Sequence, residues 1–178
     1  MLFRSSAAFM KVSIITITYN SAATVEDTIR SVLSQDYPFV EYIIVDGASR
    51  DATLDIVHRY SDKIARIISE PDKGIYDAMN KGVLAATGDV VGILNSDDFY
   101  ADSSVISDIV KTMNQEHSDA CYADLVYVDK DDTNRVVRTW KSGSYTPGFF
   151  LRGWMPPHPT FFVKRSKYEQ FGLYSLEL

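Results

Sequence analysis

From position 12 the chain alternates short, nearly continuous apolar runs with stretches in which apolar residues recur every three or four positions, the pattern of a parallel sheet covered by helices. The first run, Val12–Thr18, is apolar or β-branched except at Ser13, as befits a strand covered on both faces. The helix predicted next carries Val25, Ile29, Val32 and Leu33 on one face, with Ser21 placed to cap it and Pro38 beyond its end. Tyr42-Ile43-Ile44-Val45 predicts a second strand running into Asp46-Gly47; Asp51 is placed to cap a helix presenting Leu54, Val57 and Tyr60, and 64–68 reads as a third strand. After the turn-rich Glu70-Pro71-Asp72-Lys73-Gly74, the spacing of Ile75, Met79 and Val83 predicts a helix over 75–86 that is closed by Gly88. A fourth strand, Val90-Val91-Gly92-Ile93-Leu94, delivers Asn95-Ser96-Asp97-Asp98 to its carboxyl end, and a helix over 103–114 turns Val105, Ile109 and Met113 inward.

Farther on the alternation lapses. Segments 120–129 and 135–140 flank the polar Lys130-Asp131-Asp132-Thr133-Asn134 and predict a hairpin. Residues 143–159 mix Gly, Pro and aromatics without either period, which points to an excursion near a site rather than a linker. The expectation is therefore an α/β fold, three layers with a mostly parallel central sheet and a β-hairpin addition.

Composition narrows the function classes. With 178 residues, 46% hydrophobic and 24% charged, the chain is one domain's worth of soluble globular protein, not a disordered, collagenous or disulfide-stapled one. A net charge of −6 argues against nucleic acid as a partner. The single cysteine, Cys121, has no partner for a disulfide or a metal finger, which fits a reducing compartment such as the cytoplasm. No apolar stretch approaches the ~18 residues of a membrane span. Residues 1–9 read as a disordered extension, too short and too weakly apolar for a secretory signal, with Met10 as the natural start.

In an open α/β sheet ligands bind where strands end at their carboxyl edge, so Thr18-Tyr19-Asn20, Asp46-Gly47-Ala48-Ser49, 70–74 and 95–98 are the residues to weigh. Adjacent carboxylates at Asp97 and Asp98 repel unless solvated, hydrogen-bonded or bound to a cation; hard oxygen ligands suit magnesium or manganese, and a solvated loop with Asp102 capping the next helix is the plainer alternative. Asp46 either accepts from a ribose hydroxyl or base N–H, or is a turn aspartate bonding its own backbone. Tyr19 either stacks on a base or packs over the sheet edge, and Lys73 either neutralises phosphate or is an ordinary surface lysine. Neither GxGxxG nor GxxxxGK[ST] follows the first strand, and no GxSxG occurs, so dinucleotide dehydrogenases, P-loop enzymes and serine hydrolases lose their support.

Four ordered motifs carry a resemblance: 12–20, 44–53, 69–82 and Leu94-Asn95-Ser96-Asp97-Asp98 together are similar to a family-2 glycosyltransferase over nearly the whole chain from residue 11. The resemblance implies a GT-A fold and an inverting, metal-dependent transfer from a nucleotide sugar, a UDP-sugar first among donors, to a saccharide or lipid-linked acceptor in the synthesis of a cell-surface polysaccharide or lipid-linked oligosaccharide. It assigns Thr18 and Tyr19 to the nucleoside pocket, with Asn20 beside them among the nucleotide-sugar-binding residues, Asp46 to base or ribose, Asp97 to ribose or sugar, and Asp98 to a manganese or magnesium ion bridging the diphosphate. Residues 10–100 then form the nucleotide-binding part and 101–178 an incomplete acceptor-binding part. Trp154 and His158 fall on the acceptor side, each with ordinary packing as the alternative.

This chain departs from the family pattern in places. Asn95 stands where many members have Asp, Gly47 follows Asp46 where many have a second acid, and Met79 stands where relatives often carry Arg, which leaves charge neutralisation to Lys73 and the metal. The family's general base lies several residues beyond the glycine that Gly172 matches, so the expectation is a chain cut short of its base, which would lie beyond Leu178. Two other readings follow: a nucleotide-sugar-binding domain without turnover, and a fragment that does not fold stably. Phe149, Phe150, Leu151 and Trp154 offer a peripheral membrane contact at the inner face of the cytoplasmic membrane if the acceptor is lipid-linked.

Overall fold

A computed structural model of the chain describes residues 9–177. Of the expected extension, residues 1–8 lie outside the described residues; the ring of Phe9 sits 4.9 Å from that of Phe39. Eight strands and five helices follow in the order β1 (Val12–Thr18), α1 (Val25–Leu33), β2 (Val40–Asp46), α2 (Thr53–His58), β3 (Arg66–Ser69), α3 (Ile75–Ala85), β4 (Val90–Asn95), α4 (Val105–Gln115), β5 (Ala120–Cys121), β6 (Leu125–Val128), β7 (Val136–Trp140), β8 (Phe162–Lys164) and α5 (Arg165–Phe171). Six strands form one sheet in the order β3-β2-β1-β4-β8-β5, and β6 with β7 forms a separate hairpin.

The central strands sort their side chains by the period of two that a pleated strand imposes. Val12, Ile14, Tyr42, Ile44, Val90 and Leu94 face α1, α2 and α4 in one buried cluster, whereas Ile15, Ile17, Ile43, Val45, Val91 and Ile93 face α3 and Tyr168 of α5 in the other. Both faces being covered explains why these strands read as nearly continuous apolar runs. The α3 layer approaches closely: a Cβ on Gly82 would overlap the Ile15 side chain.

Several local expectations are corrected. Ser21 does not cap α1 with its side chain; its hydroxyl donates to Tyr19 O while Ser21 O accepts from Val25 N. The α2 helix buries Thr53, Ile56 and Val57, and Leu54 and Tyr60 stay half-buried. Gly88 does not close α3; it is demanded by close approach, since a Cβ there would lie 2.6 Å from Ser13 Oγ and 2.8 Å from Lys11 O. The first arm of the expected hairpin is two strands: β5 joins the main sheet, and only β6 pairs with β7. β8 and α5 were not expected at all. β8 lies antiparallel to both neighbours, with Gly92 opposite Phe162 on one side and Cys121 opposite Phe162 on the other.

At the amino edge of the sheet a buried carboxylate ties three elements together. Glu41 accepts from Lys11 Nζ at 2.7 Å, Ser13 Oγ at 2.6 Å, and Thr87 N and Oγ1 at 2.7 and 2.5 Å. Burial alone would push its pKa up, but the bonds from Lys11, Ser13 and Thr87 override that and hold it at about 2 against an ordinary 4.5. A depressed carboxyl pKa contributes stability that is fully present above the ordinary value and lost as pH falls through the folded one. Glu41→Gln should therefore cost about 2 kcal/mol at neutral pH in urea unfolding, allowing for partial screening. The gap to the parent protein should close as pH drops from about 4.5 toward 2.

Candidate functional site

The carboxyl ends of β1, β2 and β4 lie side by side, with Thr18 in register with Asp46 and Ile17 with Asn95. Each of these ends carries a buried oxygen without a hydrogen-bond partner: Thr18 Oγ1, Asp46 Oδ1 and Asn95 Oδ1. A buried polar atom left unpaired costs roughly 1–3 kcal/mol, so three on adjoining strand ends mark this edge as built for something other than stability. Asp46 is fully buried, and its two carboxylate oxygens are used differently. Its Oδ2 accepts from Ser49 N at 3.0 Å and from Ser69 Oγ at 2.7 Å, the turn role, while Oδ1 stays uncommitted.

The loops above these ends are fixed by short-range polar contacts. Asn20 takes a left-handed φ of 51°, its N–H donates to Ser49 Oγ at 2.8 Å, and its Oδ1 accepts from Arg50 N at 2.9 Å. Its side-chain carbonyl is therefore engaged in tying the β1 loop to the β2 loop. Between them opens a cavity of about 410 Å³ lined by Tyr19, Gly47, Ala48, Arg50, Pro71 and Asp72. Tyr19 is 57% exposed at this cavity, with its ring beside Gly47. A Cβ at Gly47 would meet the end of the Asp72 side chain, which would have to shift. Lys73 is exposed beside this cavity without lining it, and its Nζ has no partner among the described residues; its backbone N–H donates to Asp77 Oδ2 at 2.9 Å. The cation that does line the cavity is Arg50, which sequence reasoning passed over although it stands inside the second motif.

At the β4 end Asp97 is exposed and Asp98 half-buried. Asp98 Oδ2 accepts from Asn95 Nδ2 at 3.0 Å, and its backbone carbonyl is anchored by Thr28 Oγ1 at 2.7 Å. Burial pushes the Asp98 pKa up and the Asp97 charge adds to it, with the Asn95 bond opposing both. Asp102 does not cap α4, whose N-cap is Ser104 without a side-chain cap bond; its Oδ1 accepts from Ser104 N and Oγ in the turn that precedes the helix. Among the described residues no group of three or more His, Cys, Asp or Glu comes together as a metal cage. The donors present are nonetheless hard oxygens on a carboxylate whose charge is poorly solvated, a set that fits magnesium or manganese when phosphate and water supply the remaining ligands. A second cavity, of about 480 Å³, runs from Asp97 and Asp98 under Tyr100 to Tyr127 and Lys141 of the hairpin.

The two residues expected on the acceptor side arrive through β8. Because β8 runs antiparallel to β4, the segment entering it crosses the same edge at which β1, β2 and β4 end. Trp154 is half-buried in an aromatic cluster with Tyr122, 5.4 Å between centroids, and does not line either cavity. His158 is half-buried, its Nε2 lacks a partner, and burial lowers its pKa; its ring packs 6.2 Å from Tyr174. Sequence reasoning also missed Asn80. Its Nδ2 donates to Tyr174 O and its Oδ1 accepts from Tyr174 N, both at 2.9 Å, so a buried amide clamps the chain after α5 against α3. The ring of Tyr76 stacks 5.8 Å from that of Tyr174 and completes the seat. Asn80 sits in the third motif, and an Asn mid-helix on the buried face was the available signal.

Comparison with known proteins agrees with this arrangement. The profile of the glycosyl transferase family 2 matches residues 13–172. An uncharacterized glycosyltransferase of Mycobacterium tuberculosis is 36% identical over 104 residues, which cover 58% of this chain and 40% of that protein. TuaG of Bacillus subtilis, named for teichuronic acid biosynthesis, is 42% identical over 90 residues, covering 49% of this chain and 36% of that one. The chain thus spans less than half the length of these curated relatives. Among solved structures, the mannosyltransferase PcManGT of Pyrobaculum calidifontis, in complex with GDP-Man and Mn2+, superposes with a TM-score of 0.73 at 25% identity over 93% of this chain and 48% of that one. TarS of S. aureus in complex with UDP gives a TM-score of 0.74 at 23% identity over 95% of this chain and 51% of that one, a likeness of fold. The four motifs, the strand order and the profile match agree: the chain belongs to glycosyl transferase family 2 and has the GT-A fold.

Proposed function

We propose that this chain binds a nucleotide-diphosphate sugar across the carboxyl ends of β1, β2 and β4 and serves its transfer, with inversion, to an acceptor hydroxyl. The observation that carries the reading is the row of three uncommitted buried oxygens at Thr18, Asp46 and Asn95 beside a cavity walled by Tyr19 and Arg50. Tyr19 offers a face for a nucleobase and Asp46 Oδ1 an acceptor for a base N–H or ribose hydroxyl. Arg50 and Lys73 place positive charge where a diphosphate would lie. Asp97 faces ribose or sugar, and Asp98, with Asn95 beside it, holds the divalent cation. When bound, that cation supplies positive charge against the diphosphate that leaves as the anomeric C–O bond breaks. The manganese in the PcManGT complex supports the metal assignment. Residues 10–100 then form the nucleotide half, and the segment from 101 opens the acceptor side, where Trp154 and His158 stand.

Binding and turnover are separate claims for a chain that spans 40% of a relative's length. Titration calorimetry with UDP, GDP and dTDP, each with and without manganese, tests the first. One nucleotide should bind in the micromolar range only with the metal, and Asp46→Ala should weaken it about tenfold through the lost hydrogen bond. No heat with any of the three, on protein that unfolds cooperatively, would overturn the reading. The teichuronic acid biosynthesis for which TuaG is named supports a saccharide or lipid-linked acceptor, met at the cytoplasmic face, as the corresponding expectation here.

A further inference from the structure

Between β7 and β8 the chain folds into an exposed aromatic knot at the edge of the sheet that carries the site. The Trp154 ring lies 5.9 Å from Tyr145, 5.8 Å from Phe149 and 5.5 Å from Phe150, and left-handed turns at Gly148 and Gly153 (φ 87° and 79°) bracket the tip. The knot does not bury its outermost members. Leu151 is 93% exposed, Met155 66% and Phe150 54%, three apolar side chains within six positions of one turn. Rings braced against one another present this tip in a fixed shape, so little conformational entropy remains to be lost when something covers it.

The charge around the knot selects what covers it. From 133 to 168 the chain has seven Lys and Arg and not one Asp or Glu, although the whole protein carries −6. Five of the seven meet carboxylates from outside that run: Arg135 with Asp129, Lys141 with Asp124, Lys164 and Lys167 with Asp119, and Arg165 with Glu169. Arg138 lies over the Tyr127 ring at 5.3 Å. Arg152, at the tip beside Leu151, is exposed and has no ion pair among the described residues. Two copies meeting tip to tip would bring like charges together, whereas an anionic lipid surface complements both the cation and the apolar crown.

We infer that residues 145–155 form a docking element for an anionic bilayer surface. Leu151, Phe150 and Met155 enter the boundary of the acyl region, Trp154 and Tyr145 sit at headgroup depth, and Arg152 meets lipid phosphate. The contact is peripheral, since no helix among the described residues is long and apolar enough to cross a membrane. It is independent of which nucleotide the site takes, and its test requires no turnover.

Co-sedimentation of the 178-residue chain with vesicles of phosphatidylcholine alone, or of phosphatidylcholine mixed with phosphatidylglycerol, reads it directly. Binding should be stronger to the mixed vesicles, weaken as salt rises, and shift tryptophan emission to the blue. Leu151→Asp should reduce partitioning at least about tenfold, and Arg152→Glu should erase the preference for anionic lipid. Leu84→Asp, which removes a 73% exposed leucine from α3, should change neither. Partitioning undiminished by Leu151→Asp, no partitioning at all, equal partitioning to both vesicles, or lipid-independent self-association abolished by Leu151→Asp would each overturn the inference.

Discussion

Asp98→Asn should abolish the metal-dependent part of nucleotide binding, lowering affinity in manganese about 10–100-fold, while leaving the protein at least as stable without metal. The two halves of this expectation have one cause. The Asp98 carboxylate is held away from water beside Asp97, so its charge is unwelcome in the metal-free fold, and the amide removes that charge with almost no change of shape. The Asn95 contact at 3.0 Å survives, because an amide oxygen can accept from Asn95 Nδ2 as the carboxylate does. Calorimetry with and without manganese gives the affinity, and thermal unfolding in chelator gives the stability. Unchanged metal-dependent affinity would remove Asp98 from the ligand set. Lost affinity with a fallen unfolding midpoint would point instead to damage at the β4 end.

Phe162→Ala should destabilise the protein by about 3–5 kcal/mol, the range for deleting a large buried aromatic. Phe162 is 1% exposed, its ring stacks 6.4 Å from Tyr100, and β8 depends on it as its inward anchor between β4 and β5. The ring also explains Gly92, where a Cβ would lie 2.5 Å from it. Gly92→Ala alone should therefore be overpacked by about 1–3 kcal/mol. In the Phe162→Ala background the same change should cost much less, since the opposing atoms are gone. Urea unfolding of the four proteins measures the cycle; simple additivity would mean that Gly92 serves some other constraint.

The parts of this fold that were legible in the sequence are those whose identity is decided locally. β1, β2 and β4 are flanked by helices on both faces, so the positions around Ile14, Ile43 and Ile93 are mostly apolar or β-branched and the run announces itself. β8 has only three residues, Phe162–Lys164, behind a proline-rich approach, and it is a strand only because β4 and β5 offer their edges to it. No local pattern carries that fact. β5, with two residues, is hidden for the same reason.

The candidate site divides along a similar line. That polar groups would gather after β1, β2 and β4 follows from strand order, and the sequence placed Thr18, Asp46 and Asp98 there. What it did not show was the division of labour within each residue, such as Asp46 giving one oxygen to Ser49 and Ser69 while keeping the other. Nor did it distinguish Arg50 from Lys73 as the cavity cation, since that depends on a loop bound through Asn20 thirty positions away. The Asn80 clamp spans 94 positions and is invisible to any local window.

The placement of β8 also bears on how the chain assembles. β4 ends at residue 95, yet its outer edge gains a partner only when residues 162–164 are available. A chain emerging from the ribosome therefore completes β1 to β4 with their helices while the mostly apolar β4 still has its backbone donors and acceptors open along that side. Until the later segment threads in, that open edge is the surface most exposed to pairing with another nascent chain, and non-local closure of this kind is slow. Expression of shortened forms ending before residue 162 should thus meet aggregation rather than simple loss of a loop.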